Sequence, residues 1–163
     1  MKKIMIFYLF LFSLYTAKGN TQIDFKPFEE FSGKWEGIYE IEGTRNKEIL
    51  ENKFIHKNMF FEMNIRGQME GNSSYKYTSS AVFTVGEKEE IVGWGFDEDG
   101  YKGIVQYKGK IDGNKVVLKG KSRDYSVELS YEVISGKLIR KSKWIFSDSP
   151  DKPSVVECVY KKI

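Results

Sequence analysis

Apolar and polar residues alternate with a period of two along most of this chain. The clearest run is Tyr125, Val127, Leu129, Tyr131 and Val133, interleaved with Ser126, Glu128, Ser130 and Glu132. Such alternation places one set of side chains against a core and the other in water, the mark of a half-buried strand. At Gly33 the same pattern begins, with Trp35, Gly37, Tyr39 and Ile41 on one face and Glu36, Ile38, Glu40 and Glu42 on the other. It returns in Phe61, Met63 and Ile65, and in Tyr75, Tyr77, Ser79, Ala81, Phe83 and Val85. Leu138, Arg140, Ser142, Trp144 and Phe146 share a further face, and Val156, Cys158 and Tyr160 end the series. Lys47 to His56 reads as a strand of mixed pattern. On the strand around Val92, the large apolar residues Val92, Trp94 and Phe96 are expected to face one way, with Gly93 and Gly95 between them.

Turn signals separate these runs at short intervals: Glu42–Asn46, Gly67–Ser74, Glu87-Lys88, Asp97–Gly100, Asp112–Asn114, Ser135-Gly136 and Ser147–Pro153. About ten strands with hairpin-length connections and no long helix predict an all-β fold. Closure is the economical arrangement, because an open meander of that length exposes two edges. The expected fold is a closed up-and-down antiparallel β-barrel in which the first strand pairs with the last, Val155 to Lys161. Phe25 to Phe31, with Pro27 near its start, predicts a short N-terminal helical plug. Trp35 is then the structural plug residue at the sealed end, and a ligand would enter from the other.

Composition changes this picture at the N-terminus. Lys2 and Lys3, the apolar run Ile4–Tyr15 and the small-x-small Ala17-Lys18-Gly19 predict a secretory signal peptide over residues 1–20 and one barrel domain over 21–163. A secreted or periplasmic location follows as an expectation. Without Lys2, Lys3 and Lys18, the 26 basic residues become 23, equal to the 23 acidic ones. A near-neutral chain lacks the basic excess of a non-specific nucleic-acid binder. The single cysteine, Cys158, forms no internal disulfide, and its strand position predicts a buried thiol.

Several short motifs resemble the calycin superfamily of barrels. Gly33-Lys34-Trp35 resembles the Gly-x-Trp start of lipocalins. Gly93-Trp-Gly-Phe-Asp97 followed by Gly100-Tyr101, and the ending Glu157-Cys-Val-Tyr-Lys161, resemble the DUF1579 and nitrobindin-like families. The resemblance implies a lidless ligand-holding barrel. Nitrobindins hold haem through a histidine near the C-terminus, whereas the one histidine here is His56, so no cofactor is expected.

Function in a barrel lies in its inward residues. Arg140 shares an apolar face and requires an acceptor. It is either an anchor for an acidic head group, or an arginine at the rim or paired internally. Tyr77, Trp94, Tyr125, Tyr131 and Trp144 either line an aromatic cavity or fill the interior. His56 has no partner at identifiable spacing. Asp97-Glu98-Asp99-Gly100 lacks the later glutamate of a calcium loop, with Lys108 in its place, and reads as a hairpin turn. Asn72-Ser73-Ser74 is a glycosylation sequon. No acid–base pair, catalytic triad or metal cluster is recognisable, so the chain is expected not to be an enzyme. Two readings remain: a carrier of a small hydrophobic or amphipathic molecule, or an envelope interaction protein with a filled barrel. The second predicts an outer apolar patch, for which Ile38, Phe60 and Ile145 are candidates.

Overall fold

The computed structural model describes residues 25–41, 43–72, 76–98 and 103–163. The expected leader, Tyr75, Tyr101, the sequon serines and the tip of the Asp97–Gly100 turn lie outside them. A six-residue helix, α1 (Lys26–Phe31), precedes ten strands. These are β1 (Gly33–Ile41), β2 (Thr44–Ile55), β3 (Phe60–Met69), β4 (Lys76–Val85) and β5 (Glu90–Asp97), then β6 (Val105–Asp112), β7 (Lys115–Lys121), β8 (Tyr125–Ile134), β9 (Lys137–Phe146) and β10 (Ser154–Lys162). Each strand pairs antiparallel with the next, and β1 pairs with β10 to close the barrel. At that seam Trp35 lies opposite Lys162 and Gly37 opposite Tyr160.

The helix forms where Pro27 presets the first turn and Phe25, Phe28 and Phe31 recur three residues apart. Ser32 is extended and Gly33 has φ +115°, a conformation that favours glycine and turns the chain from helix into strand. The last helical carbonyl is not left unpaired. Trp35 Nε1 and Asn52 Nδ2 both donate to Phe31 O, at 2.8 and 3.0 Å. The phenylalanines project into the barrel, where the Phe28 ring lies 4.7 Å from Phe61 and 6.4 Å from Phe83, and Phe31 lies 6.3 Å from Tyr131. Trp35 is buried beside them. This end of the barrel is sealed by aromatic packing.

Val92, Trp94 and Phe96 share one face of β5 as expected, but two expectations are corrected: Trp94 as an interior residue, and the membership of the outer apolar patch. On β5 the buried residues are Ile91, Gly93 and Gly95, while Val92, Trp94 and Phe96 point outward and Trp94 is 45% exposed. The cause is steric: the Phe83 ring from β4 lies over Gly93 and the Tyr107 ring from β6 over Gly95, filling the space a large β5 side chain would need. Trp94 therefore does not line the interior. The outer apolar row is also not the one expected, since Phe60 and Ile145 are half-buried and only Ile38 of the three is exposed.

Candidate functional site

Inward-facing side chains differ sharply between the two ends. Toward α1, Phe61 and Leu138 are fully buried, as are Leu50, Leu118 and Tyr160 in the middle of the barrel. Toward the other end, Tyr39, Tyr77, Ser79, Tyr125 and Trp144 occupy the same inward face yet are only half-buried, beside Asn46, Val105, Val127 and Val156, which are buried. The strands carry the half-buried set to a mouth open to solvent. Tyr125 stacks obliquely on Trp144, with centroids 5.1 Å apart, on one wall. Tyr39 and Tyr77 join through their hydroxyls at 2.8 Å on the opposite one. On β2, β3 and the turn after it, the rim also bears a cleft of about 490 Å³ lined by Lys47, Gln68, Met69, Glu70 and Gly71. That cleft is not the aromatic mouth.

Beneath the mouth lies a buried polar floor. Arg140 Nη1 on β9 is 2.8 Å from Glu48 Oε2 on β2, and both side chains are almost fully enclosed. Tyr77 donates to Glu48 Oε1 and Tyr160 donates to Glu48 Oε2. The Arg140 guanidinium also sits over the rings of Tyr39 and Tyr160, at 5.7 and 5.6 Å. Tyr131 pairs across the sheet with Arg140, while Arg140 Nε has no hydrogen-bond partner. Of the two readings of Arg140, the internally paired one describes its position.

The sequence permits this floor through two glycines. A Cβ on Gly67 would run into the Tyr77 ring, and one on Gly37 would run into Tyr160 and Cys158. Bare backbone lets both rings lie across neighbouring strands and reach Glu48. Burial opposes the charge on Arg140, but Tyr160, Glu48 and Tyr131 outweigh it and hold the guanidinium protonated well above its ordinary range. Burial, then the Glu48 charge, pushes Tyr77 far above a normal tyrosine. Tyr160 is likewise raised by burial, against the opposing pull of Arg140. Both keep their protons as donors. Burial also pushes the Cys158 thiol up to about 11.

Of the residues anticipated from sequence, Arg140, Tyr77 and Tyr131 meet in or beside the floor, and Tyr125 and Trp144 line the mouth. Trp94 joins neither. His56 lies in an exposed left-handed turn between β2 and β3, with φ +50°, and does not face the interior. Glu48, Tyr39 and Tyr160 were not anticipated as site residues. An inward arginine demands a carboxylate, and that demand is the signal that could have found Glu48.

No protein-family model matches the chain, and neither does any curated protein. Solved structures do match. The fatty-acid-binding protein 1 of Echinococcus granulosus superposes with a TM-score of 0.53 at 15% identity, covering 83% of this chain and 98% of that one. The zebrafish ileal bile acid-binding protein, complexed with cholic acid, gives 0.50 at 16% identity, covering 82% and 99%. At these identities the likeness is one of fold, and it gives no specific support to the narrower resemblance to DUF1579 and nitrobindin. The chain shares with these two structures the fold of a closed antiparallel β-barrel.

Proposed function

We propose that this protein binds a small hydrophobic or amphipathic molecule in the open mouth of its barrel, as a non-enzymatic carrier. The observation that carries this reading is the contrast between inward faces: sealed under α1, half-open and aromatic around Tyr39, Tyr77, Tyr125 and Trp144. Apolar walls above a few convergent polar groups are the usual make-up of a ligand site. Two barrels of the same fold are a fatty-acid-binding protein and a bile acid-binding protein, which agrees with this reading. Export through the leader at residues 1–20, to a secreted or periplasmic location, is part of the proposal. The Gly93–Asp97 and Glu157–Lys161 motifs support placement near the nitrobindin-like barrels, without their haem.

Native mass spectrometry of the purified protein tests the carrier reading. The expected result is a one-to-one adduct with an added apolar fluorophore such as Nile red; a barrel that takes up neither Nile red nor any lipid extract component refutes it. A second reading is supported by the outward row Val92, Trp94 and Phe96, each more than a third exposed. There the protein would act through that surface as an envelope interaction protein. Replacing that row with serine would abolish partner binding and leave dye uptake intact.

A further inference from the structure

The hydrogen bonds of the floor have a direction, and that direction selects a head group. Glu48, ion-paired to Arg140, is an acceptor only, so the hydroxyl protons of Tyr77 and Tyr160 both point at it. A tyrosine has one proton. With its own committed to Glu48, Tyr77 must accept from Tyr39, which lies 2.8 Å away. The relay therefore runs from Tyr39 through Tyr77 to Glu48. It ends on the half-buried Tyr39, at an oxygen whose proton is already used and which keeps lone-pair capacity to accept.

Charge agrees with direction. On the inward strand faces, apart from Lys162 over Trp35 at the sealed end, the described charged side chains are Glu48, Asp97 and Arg140. Two carboxylates stand against one guanidinium. That guanidinium is already paired, and its free Nε is covered within the floor. An incoming carboxylate would find no unpaired cation at its head and would have to turn the Tyr39 proton away from Tyr77 to gain one hydrogen bond. A hydroxyl or amide N–H loses nothing, because it donates to a lone pair that is waiting.

Resting on the carrier reading, we infer that the site takes an uncharged amphiphile whose head group donates a hydrogen bond, an alcohol or a primary amide, in preference to a carboxylate. Burial raises Tyr39 above the ordinary tyrosine range, which keeps its proton on the relay. Tyr39, Tyr77 and Glu48 are the residues that set the polarity of the head.

The test is displacement of Nile red from the whole protein by chain-matched 1-dodecanol, dodecanamide and dodecanoate at pH 8. The alcohol and the amide should displace the dye at concentrations about tenfold lower than the carboxylate, the scale of one hydrogen bond plus an unpaired charge. Tyr39→Phe, checked for native circular dichroism, should shrink that ratio toward one by weakening the alcohol and amide. Dye that is displaced equally well or better by dodecanoate overturns the inferred polarity and leaves the carrier reading standing. A ratio unchanged in Tyr39→Phe also overturns it, since the acceptor would then lie elsewhere. Failure of Nile red and of all three amphiphiles to bind overturns the carrier reading and the head-group preference together.

Discussion

Removing Arg140 alone should damage this barrel far more than removing Arg140 and Glu48 together. Arg140→Met leaves Glu48, 2% exposed, with its charge enclosed and only tyrosine hydroxyls to hold it. Breaking a buried pair from one side costs about 3–5 kcal/mol. Glu48→Gln strands the guanidinium, 7% exposed, with a similar expected loss. The double variant Arg140→Met/Glu48→Gln carries no buried charge, and the glutamine oxygen still accepts from one tyrosine. Its expected loss is about 1–2 kcal/mol, one or two ordinary hydrogen bonds. The coupling is then at least about 4 kcal/mol, well beyond the roughly 0.5 kcal/mol scatter of independent sites. Urea unfolding followed by tryptophan fluorescence measures it. With slopes of about 1–3 kcal/mol per molar urea, each single variant should shift the midpoint by a molar or more. Losses that simply add, or single variants costing under about 1 kcal/mol, would refute the floor as a coupled unit.

Two further outcomes follow from the same geometry. Gly67→Ala should push the Tyr77 ring off Glu48 and destabilise the barrel by about 1–3 kcal/mol through overpacking, whereas Gly71→Ala, in an open turn, should leave the Tyr77–Glu48 contact alone. Tyr77 amide and ring shifts by NMR distinguish the two, and a Gly67→Ala spectrum matching the parent at Tyr77 would contradict the packing. Stability should also fall with alkali. The Cys158 thiol is held at about 11 in the fold against 9.0 free, so the unfolded chain loses that proton first. Its contribution is fully present below pH 9 and is lost as pH rises toward 11, reaching about 2 kcal/mol by pH 10.5. Tyr77 and Tyr160, also raised, act with the same sign above about pH 10. Urea midpoints at pH 8 and 10.5 check this, and in Cys158→Ala the decline should be shallower; an equal decline would remove the thiol from the account.

The sequence and the structure agree best where alternation is strict. β8 reads Tyr125 to Val133 inward in both, and the pairing of Trp35 with Lys162 closes the barrel where the first and last runs were expected to meet. Agreement ends where polar residues face in or glycines replace side chains. On β2 the inward set is Asn46, Glu48, Leu50, Asn52 and Phe54, opposite Arg45, Lys47, Ile49, Glu51 and Lys53. Hydropathy cannot sort faces that are both partly polar, so the carboxylate at the centre of the floor was hidden in a strand of mixed pattern. On β5 the tryptophan marked the wrong face, because the interior there is filled by Phe83 and Tyr107 from neighbouring strands. A period-2 pattern names the two faces of a strand, but packing from its neighbours decides which one is inside.

The central claim is that a ligand sits in the mouth between Tyr39, Tyr77, Tyr125 and Trp144. Tryptophan fluorescence tests it directly, because the three tryptophans report from three places: Trp35 under the helix, Trp94 on the outer wall and Trp144 in the mouth. Titration with 1-dodecanol should give a saturable emission change that persists in Trp94→Phe and disappears in Trp144→Phe. A saturable change that instead survives in Trp144→Phe and vanishes in Trp94→Phe would put binding on the outer wall and contradict the account.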